Sequence, residues 1–285
     1  MATGYEALMN TASKLKIGYF PHRSDKIENN TIFNSKRFTL IAGPCAVESF
    51  EQLDTIAAFV KSQGAFYLRG GAFKPRTSPY SFQGLGKEGI EILSKVSKKR
   101  NLPVVTEVMD TEHLNFIAKK VNILQIGSRN MQNYALLKAV ARTHKPILLK
   151  RGISATLEEF LYAAEYLAQE GNTQIIFCER GIRTFETATR NTLDLNSVAI
   201  LKNLTPYPVI VDPSHGTGVK EIILPMAKAA IAVGADGLMV EVHHAPEKAL
   251  SDGAQSLNFL EFESLVRALI PIAKACNKEL CHEKN

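Results

Sequence analysis

The sequence predicts an α/β fold, a closed (β/α)8 TIM barrel with a short N-terminal hairpin extension, on three observations. Eight short runs rich in Val, Ile and Leu lack polar alternation, as strands buried on both faces do. The stretches between them carry apolar residues at three- and four-residue spacing, the mark of helices with one buried stripe. No Ser/Gly/Pro-rich linker separates one unit from the next, so the 285 residues read as one large barrel rather than two domains.

The runs begin near Phe38 (FTLIAG), Ala65 (AFYLRG), Pro103 (PVVTEV), Asn122 (NILQIG), Pro146 (PILLK), Gln174 (QIIFC), Pro208 (PVIVD) and Asp236 (DGLMVEV). After the first, Phe50, Leu53, Ala57 and Val60 make one stripe, with a capping-box start at Ser49 and Gln52 and a stop at Gly64. Thr156 and Glu159 repeat the start signal before Leu157, Phe160, Leu161, Ala164 and Leu167, and Gly171 ends that helix. The last helix is expected over 258–273. Residues 1–35 are expected to be an extension: 1–30 carry no strong pattern, and 31–40 read as a hairpin turning at Asn34 and Ser35 that plugs the barrel bottom. Residues 36–274 are expected to form the barrel, which would be the catalytic part if the chain is an enzyme. Residues 275–285 form a polar tail whose Cys281-His282 pair reads as a frayed end rather than a metal clip.

Hydrophobic residues at 45% and charged residues at 22% suit a chain with a large core and argue against disorder. No apolar run approaches a membrane span, and Glu6, Lys14 and Lys16 break up the first twenty residues, unlike a secretory signal. Four scattered cysteines are too few for a disulfide scaffold at this size, so a reducing, cytoplasmic setting is expected. Thirty-four basic against 28 acidic side chains leave +6, which suits either nucleic acid or small anions.

Active sites of such barrels sit where strands end. Those positions hold Cys45; Arg69, Lys74 and Arg76; Glu107; Arg129; Lys150 and Arg151; Glu179, Arg180 and Arg183; Asp212 and His215; Glu241 and His243. So many cations at one end repel each other unless something strongly anionic binds among them, and two phosphates and a carboxylate would suffice. Taken one at a time they also read as solvated charges paired with Glu107, Glu179 and Asp212. Convergence on a pocket mouth, with neither a surface stripe nor interleaved aromatics, counts against nucleic acid.

Closure makes the seventh, eighth and first strands neighbours, which draws together Cys45, His215, Glu241 and Asp252. Thiolate, imidazole and two carboxylates suit Mn²⁺, Fe²⁺, Co²⁺ or Zn²⁺ rather than Ca²⁺ or Mg²⁺. A lone cysteine after a strand is usually a small buried hydrophobe. His215 alone reads equally as a catalytic acid or a satisfied loop histidine, and His243 and His244 are rival ligands.

The runs GPCAVES (43–49), KPRTSPYSFQG (74–84), TEVMD (106–110), IGSRNMQN (126–133), LLKRG (148–152), CERGIRTFETATRNTLDL (178–195), DPSHGTG (212–218), LMVEVH and LSDGAQS (within 238–256) resemble 3-deoxy-D-arabino-heptulosonate 7-phosphate (DAHP) synthase, type Iβ branch, over residues 36–274. Ser128 and Gly216 stand where alanine is expected, and His244 where proline is usual. The resemblance implies a metal-dependent condensation of phosphoenolpyruvate with erythrose 4-phosphate and water, releasing phosphate, as the first step of the shikimate pathway toward aromatic amino acids. It also implies a homo-oligomer, dimer or tetramer, and no nucleic-acid or membrane partner. Arg69, Lys74, Arg129, Lys150 and Arg180 are then expected to hold phosphoenolpyruvate, and Arg76 and Thr77 the sugar phosphate. Cys45, His215, Glu241 and Asp252 would hold the divalent metal, Mn²⁺ foremost, and Lys74, Glu107, Lys150 and His215 are the candidate catalytic residues.

Two other enzymes and one non-enzymatic role compete with this reading. An octulosonate 8-phosphate synthase using arabinose 5-phosphate would carry Ala-Asn-Arg-Ser where Pro75-Arg76-Thr77 stand. A Schiff-base aldolase would use Lys150 as nucleophile. A scaffold barrel would have no use for the metal donors and clustered cations together. About 30 residues precede the hairpin and barrel, fewer than the roughly 40 of even a small self-standing domain. The chain is therefore expected to lack feedback inhibition by aromatic amino acids unless a separate partner protein supplies the binding site.

Overall fold

The computed structural model describes residues 4–18, 33, 36–74 and 78–280. Eight strands run in sequence order around a closed barrel: β1 (Thr39–Gly43), β2 (Tyr67–Arg69), β3 (Val104–Val108), β4 (Ile123–Ile126), β5 (Ile147–Lys150), β6 (Ile175–Glu179), β7 (Val209–Val211) and β8 (Gly237–Glu241). All pairs are parallel, and β8 closes on β1 from Thr39↔Gly237 to Gly43↔Glu241, which leaves the sheet no edge. Every expected apolar run holds one strand, with β6 extending one residue past its run to Glu179.

The helices are α1 (Gly4–Ala12), α2 (Phe50–Ser62), α3 (Lys87–Arg100), α4 (Leu114–Ala118), α5 (Tyr134–Ala141), α6 (Leu157–Gln169), α7 (Leu195–Leu204), α8 (Pro213–Thr217), α9 (Ile223–Ala232) and α10 (Phe259–Ala275). The box expected at α6 is complete: Thr156 Oγ1 accepts from Glu159 N at 3.2 Å, and Glu159 Oε2 accepts from Thr156 N at 2.8 Å. At α2 only half of it forms. Ser49 Oγ accepts from Gln52 N at 3.0 Å, but the buried Gln52 amide instead serves Glu48 N and Ala46 O. α10 starts at its Asn258–Glu261 box and runs to Ala275, two residues past the expected end.

Strand alternation sorts the core into two bodies. Outward side chains such as Leu40, Leu68, Val104, Leu124, Leu149 and Phe177 pack against the helices, where Phe177 meets Phe160 of α6 edge-to-face at 4.9 Å. Inward ones fill the barrel, with Ile41, Tyr67, Val105, Ile123, Leu148, Ile176, Ile210 and Met239 each coming from a different strand.

The chain ends depart from expectation. Residues 4–12 form a helix where no pattern was legible. α1 lies on α6, with Thr11 Oγ1 donating to Glu158 at 2.9 Å and Ala12 buried, so tertiary packing holds a helix too short to persist alone. The hairpin turn at Asn34 and Ser35 lies outside the described residues, while Phe33 is buried among the inward residues. Residues 36–38 pair in parallel with Glu279: Phe38 N donates to Glu279 O at 2.9 Å, and Glu279 N donates to Lys36 O at 2.6 Å. Lys278 Nζ donates to Ala235 O at 2.7 Å, so the tail as far as 279 is bound rather than frayed. Cys281 and His282 lie outside the described residues.

Two networks give testable energetics. Arg151, expected among the pocket charges, points outward and is buried; it donates to Ala155 O at 3.1 Å, Glu179 Oε2 at 3.1 Å and Asp194 Oδ2 at 2.8 Å. Removing one member of a buried pair costs about 3–5 kcal/mol, whereas an exposed pair is worth about 1 kcal/mol or less. Arg151→Ala should therefore destabilise by about 3–5 kcal/mol in urea unfolding, and Arg142→Ala, which removes the exposed pair with Glu170, by about 1 kcal/mol or less.

Asp54 joins α2 to α3 through Arg100 Nε at 2.6 Å, Arg100 Nη2 at 2.7 Å and Lys99 at 2.8 Å, and the Arg100 bonds bring its carboxyl down to about 2. A depressed acid stabilises above its unfolded value of 3.8, and that contribution is lost as pH falls toward 2. Asp54→Asn should lower the Tm at pH 7 and leave it unchanged near pH 2, as read by thermal melts at the two values.

Candidate active site

Two residues beyond each inward apolar position, the same alternation carries polar groups into the C-terminal mouth of the barrel. From β2, β3, β4, β5, β7 and β8 these are Arg69, Glu107, Gln125, Lys150, Asp212 and Glu241, with Arg180 following the inward Cys178 of β6. The connections after the strands add Cys45, Lys74 and Asp252 from loops, Arg129 from a 3-10 turn and His215 from α8. A cavity of ≈ 450 Å³ opens among them, lined by Arg69, Lys74, Glu107, Arg129, Lys150, Arg180, His215 and Asp252.

Cys45, His215, Glu241 and Asp252 come together beside the cavity, which His215 and Asp252 line, their ligand atoms all within 4.8 Å of one another. Cys45 Sγ lies 2.9 Å from Asp252 Oδ2 and from Ser251 Oγ, and His215 Nε2 lies 3.3 Å from Glu241 Oε1. His215 Nδ1 meets Asp212 Oδ2 at 2.7 Å; with the proton assigned to Nδ1 for that bond, Nε2 is free to coordinate. Burial depresses the imidazole below its usual range, which favours the neutral, ligating form. Burial first, then Glu241, push the Cys45 thiol up to about 12. Burial alone would raise Glu241, but His215 and Arg69 hold it below the usual carboxylate range. Asp252 comes down to about 2: burial opposes this, and the Cys45 bond drives it. Soft and hard donors crowded this closely around one point fit a divalent transition ion. Asp252 also adopts φ +53°, a left-handed backbone rare outside glycine, which aims its carboxylate back at Cys45. The rival ligands face elsewhere. His243 Nε2 is 3.2 Å from Gln52 Nε2 and 3.6 Å from Glu48, and His244 stacks on His243.

Cations make the rest of the wall. Arg69 donates to Glu241 Oε1 at 2.8 Å, so it also holds a metal donor in place. Lys74 Nζ donates to Cys45 Sγ and Cys45 O, both at 3.0 Å. Lys150 forms a buried ion pair with Asp212. The amine is engaged there rather than free, as a Schiff-base nucleophile would need it. Asp212 sits well below the usual range; burial opposes this, and His215 and Lys150 cause it. Arg180 donates to Gly181 O and His215 O, and burial lowers its ordinary value. Arg129 stands on a single 3-10 turn after β4 and lines the cavity. Arg76 and Thr77 lie outside the described residues.

Glu107 and Gly127 fit against each other. A Cβ at position 127 would lie 2.0 Å from Glu107 Oε1, so only glycine leaves room for that carboxylate. Similarly, a Cβ at Gly216 would meet Leu193 Cδ1 at 2.7 Å, which gives the departure from alanine there a packing cause.

Three contributors were not legible as site residues. Gln125, inside an apolar run, lines the cavity and donates to Glu107 Oε2 at 3.4 Å; an amide in a strand otherwise buried on both faces was the available signal. Gln255 donates to Glu241 Oε2, and Arg190 donates to Gln255 Oε1 at 3.1 Å, but no strand end marked either.

A profile of the DAHP synthetase I family matches residues 23–277. The phospho-2-dehydro-3-deoxyheptonate aldolase of Thermotoga maritima is 54% identical over 238 residues, covering 84% of this chain and 70% of the relative. The 2-dehydro-3-deoxyphosphooctonate aldolase of Fusobacterium nucleatum is 32% identical over 286 residues, covering 94% and 98% respectively. Among solved structures, that of the Thermotoga DAHP synthase superposes with a TM-score of 0.85 at 51% identity, covering 87% of this chain and 72% of that one. A truncated form of the Thermotoga synthase gives 0.82 at 49% identity, covering 87% and 91%. With the barrel, its polar mouth and these similarities in agreement, the chain belongs to the DAHP synthetase I family.

Proposed function

We propose that this chain condenses phosphoenolpyruvate with erythrose 4-phosphate and water to give 3-deoxy-D-arabino-heptulosonate 7-phosphate and phosphate. The observation that carries the reading is a cluster of four metal donors within 4.8 Å of one another, reaching the cavity through His215 and Asp252, beside a wall of buried cations. The resemblance to the heptulosonate relative at 54%, against 32% for the octulosonate one, favours the four-carbon sugar.

Arg69, Lys74, Arg129, Lys150 and Arg180 hold the phosphate and carboxylate of phosphoenolpyruvate. Arg76 and Thr77 take the sugar phosphate. When bound by Cys45, His215, Glu241 and Asp252, a divalent ion, Mn²⁺ foremost, supplies Lewis acidity toward the aldehyde oxygen. C3 of the enol attacks the aldehyde carbon, water adds at C2, and the C2–O bond to phosphate breaks. Glu107 orients that water and accepts its proton, and Lys74 or Lys150 supplies protons to the new hydroxyl and the departing phosphate.

The cytoplasm suits a thiol ligand that must stay reduced, and Cys45, Cys178 and Cys276 are all free. No helix among the described residues is long and apolar enough to cross a membrane. The exposed aromatic surface of Tyr134, Tyr162 and Tyr166 supports a homo-oligomer, dimer or tetramer.

Phosphate release should require phosphoenolpyruvate with erythrose 4-phosphate, be far slower with arabinose 5-phosphate, stop on chelation and return with Mn²⁺. Preference for the pentose phosphate would reassign the chain to the octulosonate reaction, and full turnover by verified metal-free protein would exclude a metal role. Gly127→Ala should displace Glu107 and cut kcat by about 10²-fold or more, the range for a lost general base, with KM for phosphoenolpyruvate less affected. Since the displaced atoms are the end of a flexible side chain, its Tm should change little. An unaltered kcat would show that the position of Glu107 is immaterial.

A further inference from the structure

Asp212 has no place yet among the ligands or the substrate-holding groups, although it touches one of each. It follows β7, capping α8, with no exposed surface. Its Oδ1 accepts from the His215 backbone N at 3.0 Å, and its Oδ2 receives both His215 Nδ1, at 2.7 Å, and Lys150 Nζ. His215 presents Nε2 to the metal donors, and Lys150 lines the cavity beside Arg180.

We propose that Asp212 is a positioning residue that couples the metal site to the phosphoenolpyruvate site through its single shared oxygen. The proposal rests on the functional reading above. Two donors on one carboxylate oxygen compete, so strengthening one hydrogen bond weakens the other. A cation at Nε2 withdraws electrons from the imidazole and makes Nδ1–H a stronger donor to Oδ2. Oδ2 then holds Lys150 less tightly, and the ammonium turns its charge toward the cavity. In the other direction, a phosphate or carboxylate that draws Lys150 away leaves Oδ2 to His215, whose Nε2 becomes a better ligand. Linkage requires the two effects to be equal in size.

Direct attraction between an anionic substrate and a nearby divalent ion also produces cooperativity, but that part does not pass through Asp212. Asp212→Asn separates the two. Asparagine keeps the shape and the Oδ1 acceptor that caps α8, and removes the charge for which Lys150 and His215 compete.

The test is calorimetric titration of Mn²⁺ with and without saturating phosphoenolpyruvate, and of phosphoenolpyruvate with and without saturating Mn²⁺. The coupling factor is the ratio of the two dissociation constants for one ligand, so a general loss of affinity cancels. Wild type should show a factor within the usual range of about 5–150, and Asp212→Asn a factor at least about fivefold smaller. Lys150→Met removes the competing donor and should reduce it in the same way, which keeps the test open should the asparagine variant not fold. An unchanged factor in either folded variant overturns the coupling. Wild type that fails to bind phosphoenolpyruvate overturns the functional reading and the coupling with it, whereas binding without a change in factor overturns the coupling alone.

Discussion

Closing eight parallel strands into a ring sends every second side chain into an interior that must be filled. In the middle of this barrel one apolar side chain from each strand fills it, and one step toward the C-terminal mouth the same positions become Arg69, Glu107, Gln125, Lys150, Asp212 and Glu241. Charged groups at that depth lose most of their hydration and persist only if paired. Arg69 with Glu241, and Lys150 with Asp212, supply that pairing. The geometry of the site follows from this requirement as much as from the reaction.

Such pairing suits exchange. Glu241 is held by Arg69 on one oxygen and by Gln255 on the other, while His215 is held through Asp212, so the metal donors are oriented by groups outside the donor set. An incoming anion meets cations already fixed in place rather than long side chains that must be ordered on binding, which reduces the entropic cost of association. The strained backbone of Asp252 belongs to the same economy: a loop residue reaches the donor cluster only by an uncommon conformation, stabilised by its bond to Cys45.

Outside the ring, the chain ends are secured by different means. Residues 36–38 and Glu279 form a short parallel pairing at the opposite end of the barrel from the site, next to the start of β1. α1 rests on α6 through the Thr11–Glu158 hydrogen bond and apolar contacts. Neither attachment touches the cavity, so both belong to the support of the barrel rather than to its chemistry.

The barrel was legible because its signals are local: apolar runs such as ILLK and QIIFC, the Thr156–Glu159 box and the stop at Gly171 all act within a few residues. The candidate site was legible to the extent that strand ends point to one mouth, which brought Cys45, His215, Glu241 and Asp252 forward together. The direction of each charge depended on strand parity and pairing, which adjacent letters do not show: Lys150 faces the cavity and its neighbour Arg151 the buried Glu179. Gln125 resembled core, Gln255 and Arg190 resembled loop, and α1 had no pattern, because each owes its place to partners distant in the chain. Local propensity and periodicity are written along the chain, whereas the sharing of one Asp212 oxygen by Lys150 and His215 exists only once β5 and β7 stand on the same ring.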